Sequence, residues 1–263
     1  LDHFVSLAKQ LPKMYRPRLI SRIISGIDFV AKQYVISQFS EFVQRNNEFV
    51  QELSICSLQF LCPVPASPLL AKEIYQNLFY KEGLANEVKH PELSMAAGLP
   101  HFSTSWCRSW GRDTFISLRG LLLIPGRFDI AKSHLIAFAS VERNGLIPNL
   151  MMGASNPRYN ARDATWFFLQ ALQDYHSFIS VKRNQQKKSN QNKNKSETDD
   201  LYDENIFDWI VPFQNGNDVI VKTMGEVVQE IMQSHANGIH FRDSAGDDCI
   251  KEEGRQIDIM TDW

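Results

Sequence analysis

Three successive helices are predicted within the segment WGRDTFISLRGLLLIPGRFDIAKSHLIAFASVERNGLIPNLMMGASNPRYNARDATWFFLQALQDYHSF, residues 110–178. Apolar residues recur there at spacings of three and four, the pattern of helices that each bury one face. Pro125-Gly126 and Asn144-Gly145 end the first two helices, because glycine and asparagine adopt the left-handed backbone at low cost. The connections are alternately short and long, which favours an all-α fold, either an array of helical hairpins or an (α/α) toroid. The predicted helices cover residues 115–123, 129–142 and 162–178.

The same spacing predicts helices on both sides of this segment. An amphipathic helix that covers a core is predicted over residues 18–46, with a bend or an interruption at Gly26 left open, and a short helix is predicted over residues 69–80. Towards the C-terminus, a final helix over residues 218–235 is closed by Asn237-Gly238. No alternation with a period of two is long enough to predict a strand.

One stretch, KRNQQKKSNQNKNKSETD at residues 182–199, is polar throughout and has no apolar anchor. Such a composition buries too little surface to offset the entropy of ordering. We therefore expect a single domain over residues 1–263, interrupted by a disordered insertion at about residues 182–205. A basic tail that binds nucleic acid is the alternative, and the neighbouring acids Glu197, Asp199 and Asp200 argue against it.

The composition argues against several classes of protein. The 263 residues are 43% hydrophobic and carry 28 basic against 30 acidic residues, which gives no electrostatic reason to expect nucleic acid or a membrane as partner. No apolar run approaches the ~20 residues of a membrane span. The four cysteines form no CxxC pair and have no histidine at metal spacing, so neither a metal site nor a disulfide framework is expected. This favours a reducing, cytoplasmic location.

Two clusters of polar and aromatic residues lie at the starts of predicted helices. Each cluster combines an arginine, an aspartate and a tryptophan, which suits sugar recognition. The carboxylate accepts hydrogen bonds from neighbouring hydroxyls, the guanidinium donates in a fixed fork, and the indole covers the apolar face of a pyranose. The first cluster is Trp110, Arg112 and Asp113, and the second is Arg158, Tyr159, Asn160, Arg162, Asp163 and Trp166.

A structural role is open for several of these residues. An aspartate in the first turn of a helix, such as Asp113, interacts favourably with the helix dipole, and Arg112 can pair with it. For Trp166, both sugar binding and core packing are open. A third candidate is Asn149, which lies in a loop and either bonds a sugar hydroxyl or serves the turn.

The remaining candidates are weaker. Phe167 and Phe168 are interpreted as core residues. The acidic stretch at residues 243–253 is interpreted as an exposed polar surface, with a pair of catalytic carboxylates as the minor alternative. Histidines without a partner at metal spacing are interpreted as surface or packed residues, and these are His101, His134, His176, His235 and His240.

Long motifs surround the clusters, namely AGLPHFS at residues 97–103, WGRDTFI at 110–116, GLIPNL at 145–150, RYNARDATW at 158–166 and GIHFR at 238–242. They closely resemble the amylo-alpha-1,6-glucosidase domain of eukaryotic glycogen debranching enzymes. The resemblance is dense over residues 96–175 and more diffuse over residues 17–62 and 218–258. Its departures are mild: Ala161 stands where the family has cysteine, and Phe167-Phe168 where tryptophan is usual.

The resemblance implies an (α/α)6 toroid, of which this chain holds about the first half, and a site for a glucose that is α-1,6-linked at a glycogen branch stub. The family hydrolyses this bond with inversion, which requires two carboxyl groups and neither metal nor organic cofactor. By resemblance, Arg112 and Asp113 grip hydroxyls of the terminal glucose, and the other residues of both clusters line the pocket. The implied partners are glycogen or branched malto-oligosaccharide and the remainder of a longer chain, which also has 4-alpha-glucanotransferase activity.

The family's catalytic carboxyls are missing from this sequence. The general acid lies in a Trp-Met-Asp segment and the general base in a Pro-Glu-Trp segment, and neither occurs here. We therefore expect no catalytic residue in this chain and place the acid and the base C-terminal to Trp263, in a protein of which this chain is an excerpt. A non-catalytic glycan-binding or helical scaffold module is the alternative.

Overall fold

A computed structural model gives the arrangement of residue 6 and of residues 9–64, 68–70, 88–90, 92–96, 109–152, 156–189, 205–215 and 218–239. These residues belong to two compact units, Leu1–Cys56 and Ser57–Trp263. Several predictions fall outside the described residues: most of the helix at residues 69–80, the motif at 97–103 and the acidic stretch at 243–253.

The first unit contains three helices, α1 (Arg16–Ser37), α2 (Glu41–Gln44) and α3 (Glu48–Cys56). The single helix predicted over residues 18–46 is wrong, because α1 ends at Ser37 and α2 has its own N-cap. The Ser40 side chain provides this cap by accepting a hydrogen bond from the Val43 N–H at 3.4 Å. The apolar spacing continues across the break, so periodicity alone does not reveal it.

The apolar face of α1 is largely exposed. Ile36 is its buried residue, whereas Ile24, Val30 and Tyr34 are 61%, 66% and 67% exposed. The described residues of this unit therefore do not provide the core that α1 was expected to cover. Gly26 lies inside α1, and nothing lies within 4 Å of a Cβ built there.

In the described part of the second unit, four helices meet in one hydrophobic core. Phe115 packs edge to face against Phe138 and Phe168, with ring centroids 4.8 Å and 5.4 Å apart. Such aromatic pairs contribute ~0.5–1.5 kcal/mol each beyond the burial of their area. The fully buried side chains of Val227 and Ile231 bring the last helix to the same core. The helices are α4 (Gly111–Leu118), α5 (Phe128–Ala139), α6 (Asp163–Ser189) and α7 (Met224–Asn237).

The predicted turns of this unit are confirmed by their backbone angles. Gly126, Asn144, Gly145 and Gly238 have positive φ angles of 91°, 53°, 78° and 83°. These values lie in the region that glycine and asparagine enter most cheaply. A π-helical turn, Arg119–Leu123, follows α4 and precedes the turn at Gly126.

Two predicted helix ends are wrong. The helix predicted over residues 129–142 ends at Ala139, and the helix predicted to end at residue 178 continues to Ser189. The longer helix therefore includes the first part of the polar stretch. Lys182 has a packing partner there, because its Nζ lies 5.0 Å from the centroid of the Phe128 ring. Residues 190–204 lie outside the described residues, so the predicted disorder of the insertion stays a prediction.

The sequence predicts no strand, yet a β-hairpin precedes α7. Strand β6 (Ile210–Asn215) pairs antiparallel with β7 (Asp218–Thr223), so the helix predicted over residues 218–235 is wrong in its first six residues. The helix begins only after Thr223, whose hydroxyl accepts from the Glu226 N–H at 3.2 Å while the Glu226 carboxylate accepts from the Thr223 N–H at 2.6 Å. This capping box starts α7, and the β-branched residues before it favour the strand.

Two smaller sheets lie elsewhere in the unit. One is the pair β1 (Leu61–Pro63) and β2 (Leu93–Met95), and the other is the antiparallel sheet of β3 (Ser109–Trp110), β4 (Leu150–Met152) and β5 (Asn156–Arg158). The described fold is mostly helical, as predicted. None of its helices is both long and apolar enough to cross a membrane.

Candidate functional site

The start of α4 is held by a loop that passes over it at close range. The Gly111 N–H donates to the Asn149 carbonyl oxygen at 2.7 Å. A Cβ at Gly111 would lie 2.3 Å from the Pro148 carbonyl oxygen, which is far inside contact distance. Glycine is therefore required at this position, and it immediately precedes Arg112.

Asn149 links the start of α4 to the three-stranded sheet. The residue is 4% exposed, and its Oδ1 accepts from the Arg112 N–H at 3.4 Å. Its own N–H donates to the Arg158 carbonyl oxygen at 2.8 Å. The structure thus gives Asn149 bonds to backbone groups at the start of α4 and in β5, and its bond to a sugar hydroxyl stays a prediction.

The loop is tied to the start of α6 as well. The Ile147 N–H donates to Thr165 Oγ1 at 2.9 Å, and Thr165 is fully buried. The Tyr159 hydroxyl donates to the Val141 carbonyl oxygen. These bonds place the first turns of α4 and α6 beside the same connection.

The two sequence clusters meet at an ion pair. Arg112 Nη1 donates to Asp163 Oδ2 at 3.0 Å, which joins the first turn of α4 to the first residue of α6. Both side chains are 46% exposed, so the pair contributes only ~0.2–1 kcal/mol to stability. Its hydrogen bond with Asp163, and to a smaller extent the charge of the exposed Asp113, raises the pKa of Arg112 above its usual value. The guanidinium has further N–H groups beyond this one bond, which remain suited to oxygen ligands.

Trp166 lies one turn beyond Asp163 on α6 and is 43% exposed. Its neighbours in sequence face inward: Phe168 is fully buried, as predicted, and Phe167 is half-buried against the core. Residues three apart on a helix share a face, so the Trp166 indole lies on the side that carries the Asp163 carboxylate. An exposed indole beside a guanidinium–carboxylate pair is suited to the apolar face and hydroxyls of a sugar.

Comparison with known proteins identifies the family of this chain. The family model described as amylo-alpha-1,6-glucosidase matches residues 40–263. The chain belongs to the amylo-alpha-1,6-glucosidase family. A curated relative, the glycogen debranching enzyme of Saccharomyces cerevisiae, is 37% identical over 260 residues, which is 97% of this chain and 15% of the yeast protein. The resemblance predicted from the motifs is confirmed, and the chain spans about 15% of the length of that relative.

In this member of the glucosidase family, the other predicted site residues lie in β3, in β5 and in the segment between β5 and α6. Trp110 is half-buried in β3 directly before α4, and Arg158 is half-buried in β5. Asn160 and Arg162 are exposed in the segment that leads into α6. Sugar contact by each of these residues stays a prediction.

Two polar groups of this region were missed from the sequence. Glu142 Oε1 accepts from the Gly145 N–H at 2.6 Å, and burial raises the pKa of the Glu142 carboxyl. His235, interpreted as a surface or packed residue, lies with its ring centroid 4.7 Å from that of Trp166. The signal for Glu142 is its place three residues before the glycine of the Asn-Gly turn. No local signal points from His235 to Trp166, because they belong to different helices.

No candidate metal site is found among the described residues. Among the residues that the structure describes, no three histidine, cysteine, aspartate or glutamate side chains lie close enough together to hold a metal ion. Cys56 and Cys62 are exposed free thiols.

Proposed function

We propose that this chain supplies the glucose-binding residues of an amylo-alpha-1,6-glucosidase that hydrolyses α-1,6-linked glucose at glycogen branch stubs. The observation that carries the proposal is the 3.0 Å bond between Arg112 and Asp163, which brings together two clusters 51 residues apart in sequence. The family membership and the name of the yeast relative support the choice of substrate.

Each group has a separate part in binding. Asp163 and Asp113 accept hydrogen bonds from neighbouring hydroxyls of the terminal glucose, and Arg112 donates from the N–H groups that its bond to Asp163 leaves over. Trp166 covers the C–H face of the ring. Asn149 holds the loop behind these groups.

The remaining members of the proposed binding set line the rim of the pocket. Trp110 and Arg158 do so from the three-stranded sheet, and Tyr159, Asn160 and Arg162 from the segment before α6. They extend recognition from the terminal glucose to the sugars that precede it.

Cleavage is assigned to other residues of the family. Inversion requires an acid and a base with carboxyl groups roughly 6.5–9.5 Å apart, with space for water between one of them and the sugar. The Trp-Met-Asp and Pro-Glu-Trp segments that carry these groups in the family are not among the 263 residues. We therefore give neither Asp113 nor Asp163 a catalytic role, and no cofactor is needed.

The larger assembly is part of the same proposal. The helices of the second unit form the first half of an (α/α)6 toroid, with the loops around Asn149 and Asn160 at the end that binds sugar. The whole protein is cytoplasmic, acts on glycogen and also carries 4-alpha-glucanotransferase activity. The turns at Gly126 and Gly145, and the alternation of a short connection before α5 with a longer one before α6, support this arrangement.

The test is binding of a malto-oligosaccharide that carries one α-1,6-linked glucose, measured by calorimetry. Asp163→Asn keeps the size of the side chain and removes its charge, so we expect affinity to fall about 10- to 100-fold, since a hydrogen bond to a charged group contributes roughly 1.5–3 kcal/mol. Asp174→Asn is the matched control, because Asp174 lies on the same helix and contacts Gln170 at 3.3 Å. Equal affinity of both variants and the wild type would refute the assigned role.

Hydrolysis separates the proposal from its alternative. In a protein extended by the two catalytic segments, Asp113→Asn should lower glucose release from the same oligosaccharide. A non-catalytic glycan-binding module would instead bind the sugar without releasing glucose in any natural form of the protein. Unchanged glucose release by the Asp113 variant would remove this residue from the site.

A further inference from the structure

His235 packs against the exposed indole of Trp166. The ring centroids are 4.7 Å apart and the ring planes are inclined by 60°. Trp166 lies in the first turn of α6 and His235 in the last turn of α7, so the contact joins two helices. Trp166 is 43% exposed, and therefore one part of the indole faces solvent while another faces the imidazole.

The imidazole itself is fixed by its own helix. His235 Nδ1 lies 2.8 Å from the Ile231 carbonyl oxygen, so Nδ1 carries a proton and donates it. The ring orientation is thus set by a backbone group rather than by a mobile side chain. A flat ring held in this way restricts the rotamers open to the indole beside it.

The end of α7 also belongs to the framework of the sugar site. A Cβ at Gly145 would lie 2.3 Å from Ser234 Cβ, so the turn at Gly145 is in direct contact with the residue before His235. Two residues beyond this turn, Ile147 bonds Thr165 at the start of α6. The imidazole and the indole are therefore carried by backbone segments that are joined to each other.

We infer that His235 is a positioning residue of the glucose site, which holds the Trp166 indole ready to stack on the sugar. The inference rests on the proposed function and adds a residue that touches Trp166 rather than the substrate. An indole without this support must lose rotamer freedom when sugar binds, and one such side chain changes affinity by about 2- to 12-fold.

The position of the indole is tested without sugar. Acrylamide quenching of Trp166 is obtained as the difference between each protein and the same protein carrying Trp166→Phe. His235→Ala should raise the quenching constant of Trp166, and His235→Gln should do the same. His235→Phe should restore part of the wild-type value, because it keeps a flat ring but lacks the bond to the Ile231 carbonyl oxygen. The matched control is His176→Ala, on the exposed side of α6, where Nε2 lies 3.5 Å from Ser180 Oγ. Equal quenching in the wild type and both His235→Ala and His235→Gln would overturn the inference.

Sugar affinity is tested with the same variants of the full 263-residue chain. His235→Ala should weaken binding of the oligosaccharide with one α-1,6-linked glucose by about 2- to 12-fold, and His235→Phe should recover part of that loss. The loss should vanish when Trp166→Phe is already present. An equal loss in that background would show that His235 acts by another route and would overturn the inference.

The outcomes separate this inference from the proposed function. If the wild type does not bind the oligosaccharide, the proposed function fails, and quenching still decides whether His235 positions Trp166. If the wild type binds and His235→Ala binds equally well, the positioning role fails alone. If His235→Ala does not fold, the comparison of His235→Gln with His235→Phe tests the positioning role in its place.

Discussion

Replacing Gly111 by alanine should destabilise the second unit and weaken sugar binding at the same time. The new Cβ would lie 2.3 Å from the Pro148 carbonyl oxygen and 3.3 Å from the Phe138 ring, whereas ordinary contact begins at 3.4 Å. The loop must therefore move by about 1 Å, which breaks the 2.7 Å bond from Gly111 to Asn149. Overpacking costs ~1–3 kcal/mol and the lost bond ~0.5–1.5 kcal/mol, so the free energy of unfolding should fall by about 2–4 kcal/mol.

Urea unfolding followed by tryptophan fluorescence measures this loss. Gly26→Ala is the matched control, because nothing lies within 4 Å of a Cβ at that position in α1. Alanine has a higher helix propensity than glycine, so the free energy of unfolding of the control should rise by ~0.4–1 kcal/mol. The two glycine replacements should thus change the free energy of unfolding in opposite directions, because a Cβ has space at Gly26 and none at Gly111.

Binding is measured at a temperature where the Gly111 variant is folded. Arg112 follows Gly111 directly, so movement of the helix start shifts the guanidinium relative to Asp163, from which it is 3.0 Å away. We expect the affinity for the branched oligosaccharide to fall by about 10-fold, as for the loss of one charged hydrogen bond. Unfolding at the wild-type urea concentration would refute the packing argument, and normal binding by a destabilised variant would refute its link to the site.

Two further predictions concern stability. Glu142 has a raised pKa because of burial, so its folded-state contribution is full below the ordinary pKa of glutamate, near 4.5, and is lost as pH rises through the folded pKa. Glu142→Gln keeps an acceptor for Gly145 and should be more stable than the wild type at neutral pH, a difference that shrinks as pH falls towards 4.5 in thermal melts; a constant difference would contradict this. Thr223→Ala removes the N-cap of α7 and should lower the free energy of unfolding by about 0.5–2 kcal/mol in urea, whereas Thr223→Ser should lose little. Equal losses for the alanine and serine variants would show that the hydroxyl does not cap the helix.

Local signals in the sequence predicted the turns and the presence of the helices. Asn144-Gly145 and Gly238 have the positive φ angles expected from their residue types. The motif residues Arg112 and Asp163 were both identified as candidates, because a guanidinium and a carboxylate at helix starts have a plain chemical use. Such features depend on residues close together in the chain, which is why a single sequence reveals them.

Features that depend on distant partners were missed or misplaced. Periodicity extended α7 through the residues of β7, since Val219 and Val221 suit a helix stripe and a strand equally well. Pairing with β6 decides between them, from Ile210 opposite Thr223 onwards. Similarly, α6 extends to Ser189 and includes Lys182, which contacts the Phe128 ring. The polar composition of this stretch gives no indication of that contact.

The amino-acid sequence by itself determined the family, the helical class and the residue types that suit a sugar, because long motifs and apolar spacing are properties of neighbouring residues. Only the tertiary structure decided that Arg112 reaches Asp163 across 51 positions and that His235 lies against Trp166. It also showed that Asn149 bonds backbone groups at the start of α4 and in β5. The physical reason is that each of these contacts joins separate elements, whose approach is set by the packing of the Phe115, Phe138 and Phe168 rings between helices.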